Sequence, residues 1–118
     1  MTTLITAAAF RSFLGRKDTG SIKAALADRH PADIAAVTAS LAPEEITQIL
    51  LLLPERREAE VFGYFEPAIQ VAVAGQLSRS DLARLVTAMS HDERADLFNR
   101  LTPDQQQALL PGIARAEP

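Results

Sequence analysis

Three carboxylates stand out for their chemistry: Glu60, Asp92 and Asp96. Asp92 and Asp96 are four residues apart, so on a helix they share a face one turn from each other. His91 beside Asp92 and Asp96 can be drawn as a transition-metal site, but no second histidine stands at helical spacing to support it. His30, the other histidine, reads like His91 as a water-facing residue at the start of a helix. Solvation is the ordinary fate of acids on an exposed helix face, and the helix dipole alone favours Asp92 near an N-terminus.

No set of residues points to catalysis. Cysteine is absent, which removes thiol catalysis, disulfides and zinc–thiolate sites together. Ser78 and Ser90 have no histidine placed to activate them, and no glycine-rich phosphate loop is present. Net charge is −3, from 12 basic and 15 acidic residues, without a basic run. A nucleic-acid partner is therefore not expected, since that needs clustered Lys and Arg. The longest apolar stretch, around Ile49 to Leu53, is far short of the ~20 residues of a spanning helix. At the N-terminus, Arg11 and Arg16 follow the apolar residues, the wrong order for a secretory signal.

The acids take their places from a repeat. Seven consecutive twelve-residue units run from His30 to Ile113 without insertion or deletion: HPADIAAVTASL, APEEITQILLLL, PERREAEVFGYF, EPAIQVAVAGQL, SRSDLARLVTAM, SHDERADLFNRL and TPDQQQALLPGI. Position 8 is always aliphatic (Val37, Ile49, Val61, Val73, Leu85, Leu97, Leu109). Position 12 is always large and apolar (Leu41, Leu53, Phe65, Leu77, Met89, Leu101, Ile113). A fixed period of this kind marks a stacked-repeat architecture.

Positions 5, 8, 9 and 12 stand at i, i+3, i+4 and i+7, one face of an α-helix. Position 5 is apolar in Ile34, Ile46 and Leu82, and position 9 in Leu50, Phe62, Val86, Phe98 and Leu110. Pro31, Pro43, Pro67 and Pro103 at position 2 suit a first helical turn, where a missing N–H costs nothing. Ser90 with Glu93 and Thr102 with Gln105 have capping-box spacing, and Ser78 with Asp81 resembles it. Each unit is thus predicted to be a helix of about ten residues, roughly 15 Å long, and a tight turn. Helices this short are not stable alone, so the units are expected to coil into a superhelix with one continuous core. At 100° per residue, positions 3 and 7 point away from that core, which places Glu60, Asp92 and Asp96 on the polar surface.

Gly63 and Gly75 share position 10 and are expected to permit close helix approach. Tyr64, at position 11, lies off the main stripe; second-row packing is its ordinary role, and a surface contact is the alternative. Residues 1–29 fall outside the period and are expected to form N-terminal capping helices. One spans Thr2 to Leu14 and a second Ser21 to Asp28, with a turn at Gly15 and RKDTG between them. Residues 30–113 are the repeats, broken at Pro111 and Gly112, and 114–118 read as a frayed tail or linker.

The runs HPADIAAVTASL, LLLLPERREAEVF and SHDERADLF resemble the N-terminal cytoplasmic domain of MgtE-type magnesium transporters and channels, over about residues 20–113. The HP-x-D-I opening, the LLP-x-x-x-x-AEV segment and the Asp-x-x-x-Asp pair fall in the family's order. The resemblance implies an all-α, right-handed superhelix of about nine short helices, seven of them in the twelve-residue repeats. It implies a place ahead of a paired CBS domain and a dimeric transmembrane pore in one polypeptide. The location would be the cytoplasmic face of the bacterial inner membrane, with this stretch itself soluble. In that family the domain belongs to a magnesium sensor, in which acids of the N domain face acids of the CBS domain with Mg²⁺ between them. Those positions carry over to Glu60 in REAEV and Asp92 in SHDER, with Asp96 one turn on, while Glu93 and Arg94 depart from the family's pattern. The expectation is a regulatory, Mg²⁺-responsive module that neither transports ions nor catalyses a reaction. The competing reading is a metal-free interaction scaffold, because similar short-helix repeats occur in the flagellar motor switch protein; it predicts no cation response and an apolar groove as the working surface.

Overall fold

Nearly every helix start carries its own local cap, which is why such short segments begin where they do. The protein is represented by a computed structural model that describes residues 6–107 and 109. Its helices are α1 (Ala7–Gly15), α2 (Thr19–Leu26), α3 (Pro31–Thr38), α4 (Pro43–Leu50), α5 (Glu55–Gly63), α6 (Pro67–Gln76), α7 (Arg79–Ala88) and α8 (His91–Arg100). Residues 103–107 are helical as well, and no strand occurs among the described residues. The fold is all-α, as the period predicts. The expected helical residues 2–5, Leu110, the break at Pro111 and Gly112, Ile113 and the tail 114–118 lie outside the described residues.

Side-chain oxygens of Thr6, Asp18, Ser78, Ser90 and Thr102 accept the N–H of the residue three positions on, at 3.1–3.3 Å. Only Thr102 completes the reciprocal box, its own N–H donating to Gln105 Oε1 at 3.0 Å. Pro31, Pro43 and Pro67 open α3, α4 and α6. In the HP opening, His30 Nδ1 accepts the Ala32 N–H at 3.0 Å, so an imidazole does the work usually done by Ser or Asp. Glu45 reaches back to the Ala42 N–H at 3.0 Å and also takes both N–H groups offered by Arg11. The guanidinium, then the amide, hold the Glu45 carboxyl below the usual carboxylate range and tie α1 to α4.

The turn after α1 is shorter than expected, occupying residues 16–18 of the predicted 15–20. Asp18 N–H donates to Phe13 O and Lys17 N–H to Leu14 O, the paired bonds of a Schellman ending. The left-handed position falls on Lys17, at φ 57°, and not on Gly15. Asp18, expected within the turn, instead caps α2, which therefore begins at Thr19 and not at Ser21.

Packing does not follow chain order. From α3 onward the dominant partner of each helix is the second one along: α3 on α5, α4 on α6, α5 on α7, α6 on α8. Two files of alternating helices result, and the body measures 44 × 24 × 22 Å. At the N-terminal end α1 packs on α2 and α3 and buries Phe10 completely. Positions 8 and 12 are buried wherever they are described, apart from half-buried Val37 and Leu77. Position 7 is exposed in every described unit, as the wheel requires.

Position 5, part of the predicted face, stays inward even where its residue is polar or charged by type: Glu58 and Gln70 are buried, and Arg94 and Gln106 half-buried. Gln70 is 3 % exposed; its Nε2 donates to Phe62 O at 3.0 Å and its Oε1 accepts from Arg100 at 2.7 Å. Gln106 makes the equivalent bond to Phe98 O, at 2.7 Å, three units later in the chain. In both cases position 5 satisfies a position-9 carbonyl of the preceding helix, one of the open acceptors that a helix end leaves. Glu58 occupies the same row at 6 % exposure. Burial pushes its carboxyl up to about 7, Arg84 acting against the shift while Asp81 and Glu55 add to it. Arg84 itself bridges Asp81 on its own helix and Glu55 on α5.

Two packing expectations need correction. Tyr64 is 57 % exposed, its ring edge-on to His30 at 5.9 Å between centroids, because position 11 faces outward at the end of α5. A Cβ at Gly75 would meet only Gln105 Nε2, at an ordinary 3.6 Å, so that glycine is not needed for close approach.

Replacing Lys17 by Gly removes the penalty of a left-handed L-residue, less the added chain entropy of glycine. Stability is expected to rise by about 0.5–1 kcal/mol, read as a shift in urea midpoint at unchanged slope. Glu58 gives a pH signature. Its contribution is fullest below about pH 4.5, where folded and unfolded chains both hold the proton, and is lost as pH rises through about 7, where only the unfolded chain has readily ionised. Glu58→Gln is expected to flatten that fall and to be more stable than the parent at pH 8 by roughly 1–2 kcal/mol. Parallel melting temperatures of the two proteins from pH 5 to pH 8 would show that Glu58 does not carry the effect.

Candidate functional site

The surface acids sit on two elements, α5 and the first turns of α8. On α5, position 7 turns Glu60 outward, with its side chain half exposed. Its near neighbour one turn back is Arg56, whose Nε lies 3.9 Å from Glu60 Oε1 in a pair open to water. A pair of that kind contributes little and is easily displaced, so the Glu60 carboxylate keeps oxygens to offer a ligand. On α8, Ser90 caps the helix and places Asp92 and Glu93 in its first turn. Asp96 follows one turn later, and all three acids are exposed. The positive end of the helix dipole favours charge at the first two.

The tertiary structure brings Glu60 together with Glu93. Both line one hollow of about 360 Å³, with Gly63 and Tyr64. Glu93 Oε1 accepts from Ser90 Oγ at 3.1 Å, and its Oε2 lies over Gly63 so closely that a Cβ there would stand 2.6 Å away. That atom ends an exposed, flexible side chain that can move aside, so close helix approach does not call for glycine at position 63. Sequence reasoning took Glu93 only as a capping residue. The usable signal was its register: position 4 of the sixth unit lies two units beyond Ile69, which is half-buried at position 4 of the fourth.

Glu60, Asp92 and Asp96 are not gathered into one closed ligand set. Among the described residues, no group of three or more His, Cys, Asp or Glu side chains is arranged to hold a metal ion. What the surface offers is separate exposed carboxylates, each able to give one or two oxygens. That suits a cation that retains most of its waters, as Mg²⁺ does, and needs the remaining ligands from a facing surface. Among the described residues no helix is long and apolar enough to cross a membrane.

Compared with models of known protein families, the chain matches the one described as the MgtE intracellular N domain, over residues 29–117. Compared with curated proteins, it finds no match.

Proposed function

The chain belongs to the MgtE intracellular N domain family, and from that premise we propose that it is the Mg²⁺-sensing regulatory part of a magnesium transporter. The observation that carries this reading is the family match across 29–117, which contains all the acids concerned. The exposed positions of Glu60, Asp92 and Asp96 support it, since a sensor half-site must present its carboxylates to a second surface.

In this reading the partner is an acidic CBS domain of the same polypeptide, which continues into a transmembrane pore and pairs with a second copy. The domain lies on the cytoplasmic face of the membrane and has no catalytic role. Without Mg²⁺ the two acidic surfaces repel; with it the charges are bridged and the pore-closed arrangement gains free energy. The ion acts only through its differential affinity for the two arrangements. Glu60, Asp92 and Asp96 each supply carboxylate oxygen to hydrated Mg²⁺ in the closed state. Weak binding by this half alone is what a sensor of a roughly millimolar ion requires.

The test uses the complete transporter, with Mg²⁺-dependent protease protection as the readout. Glu60→Ala, Asp92→Ala and Asp96→Ala are expected to raise the protecting Mg²⁺ concentration about fivefold or more, the scale of one coupling interaction, with unchanged circular dichroism. Glu44→Ala, an exposed acid at position 3 of the second unit, serves as the control that does not shift. Midpoints of all three site variants equal to that of the control would sink the assignment.

A further inference from the structure

Two grooves on the surface are one feature repeated. The first has Ala32, Ala36, Ala39 and Ser40 as its floor, with Glu66 and Ile69 on its wall. The second has Arg56, Glu60, Gly63 and Tyr64 as its floor, with Ser90 and Glu93 on its wall. Every lining residue of the first, advanced by two twelve-residue units, lines the second. They join at Tyr64, which walls the first and floors the second and is 57 % exposed. The register follows from the packing: alternate helices share a file, so a surface groove repeats every two units and not every one.

The trough has a definite character. Its floor is small along α3, so another backbone can come close over Ala32, Ala36 and Ala39; along α5 the floor carries Glu60 and Tyr64, and Glu93 lies over Gly63. Tyr64 and Ile69 supply apolar surface. Its charge is one-sided: Glu60, Glu66 and Glu93 are acidic, and the single base, Arg56, already faces Glu60. With helices about 10 Å apart, the two segments span about 20 Å, the length of roughly 13 helical residues.

We infer that this trough docks a basic amphipathic helix of a protein partner. The helix lays a small, apolar face over Ala32, Ala36 and Ala39 against Tyr64, and its Lys or Arg side chains meet Glu60, Glu66 and Glu93. Charge complementarity selects the partner's sign, and the small floor selects a close-fitting rod. The surface shares Glu60 with the cation reading but does not depend on it, because binding here needs no divalent ion.

The experiment is an amide NMR titration of this chain in EDTA with two probe peptides. One is a 14-residue Ala/Leu helix flanked by Lys; the other carries Glu in place of every Lys. The Lys peptide is expected to shift the amides of Ala36, Ala39, Gly63 and Tyr64, and the Glu peptide to shift none of them. Ala36→Leu, which fills the exposed floor, is expected to weaken the Lys peptide tenfold or more, whereas Gln48→Leu, exposed on α4 outside the trough, leaves it unchanged. Glu66→Lys, which spares Glu60, Asp92 and Asp96, is expected to weaken the Lys peptide even if Ala36→Leu fails to fold. Equal response to both peptides, shifts away from the trough, or shifts explained by self-association of the chain overturns the proposal. Because Mg²⁺ is absent throughout, that failure leaves the protease-protection test standing, and the reverse holds too.

Discussion

Helices of eight to ten residues cannot persist in water by themselves, and the whole architecture answers that one constraint. Each must bury its apolar stripe on other helices, and a twelve-residue unit is too short to fold back on its neighbour over a long interface. Packing onto the second helix along solves the problem, since α3, α5 and α7 form one file and α4, α6 and α8 the other. Capping then removes the second difficulty of short helices, the large share of their N–H groups left open at the ends. Ser78, Ser90 and Thr102 do this with hydroxyls, His30 with an imidazole nitrogen, and Glu45 with a carboxylate reaching back.

The same constraint explains polar residues inside the core. Helix ends leave carbonyls without the usual partner four residues on, and some of these take a side-chain donor. Gln70 and Gln106 reach across to the carbonyls of Phe62 and Phe98 from the inward row at position 5. Burying an amide costs free energy unless it is bonded, and Gln70 is bonded at both ends of its side chain. Glu58 takes the same place without such a partner, and its proton affinity rises accordingly. At the joint between α5 and α7, Glu58 is buried while Glu55 and Asp81 pair with the Arg84 guanidinium nearer the surface.

Function sits on the outward side of this frame. The rigid part is the buried stripe; positions 3, 7, 10 and 11 vary freely because they face water. That freedom lets one unit present Ala36 and another Glu60 at the same place in the repeat without disturbing the core. Glu60 belongs both to the exposed acids and to the lining of the trough, so the two proposed roles meet at one side chain.

Much of this was legible in the residues alone. The twelve-residue period, the stripe at positions 8 and 12, the proline and Ser/Thr starts and the outward direction of positions 3 and 7 are local properties of a helix, fixed by 100° per residue and by cap chemistry. The exposure of Glu60, Asp92 and Asp96 follows from them. What the tertiary structure decided was everything that depends on which helices meet. The register already puts position 5 on the inward face, but only the packed structure shows what holds polar residues there: the Phe62 carbonyl for Gln70, and a raised proton affinity for Glu58. Glu93 came to lie over Gly63 because the fold sets the start of α8 beside the end of α5, and Tyr64 stands in the open because position 11 faces outward there. Spacing along the chain determines the face of one helix; only the fold determines which other face it meets.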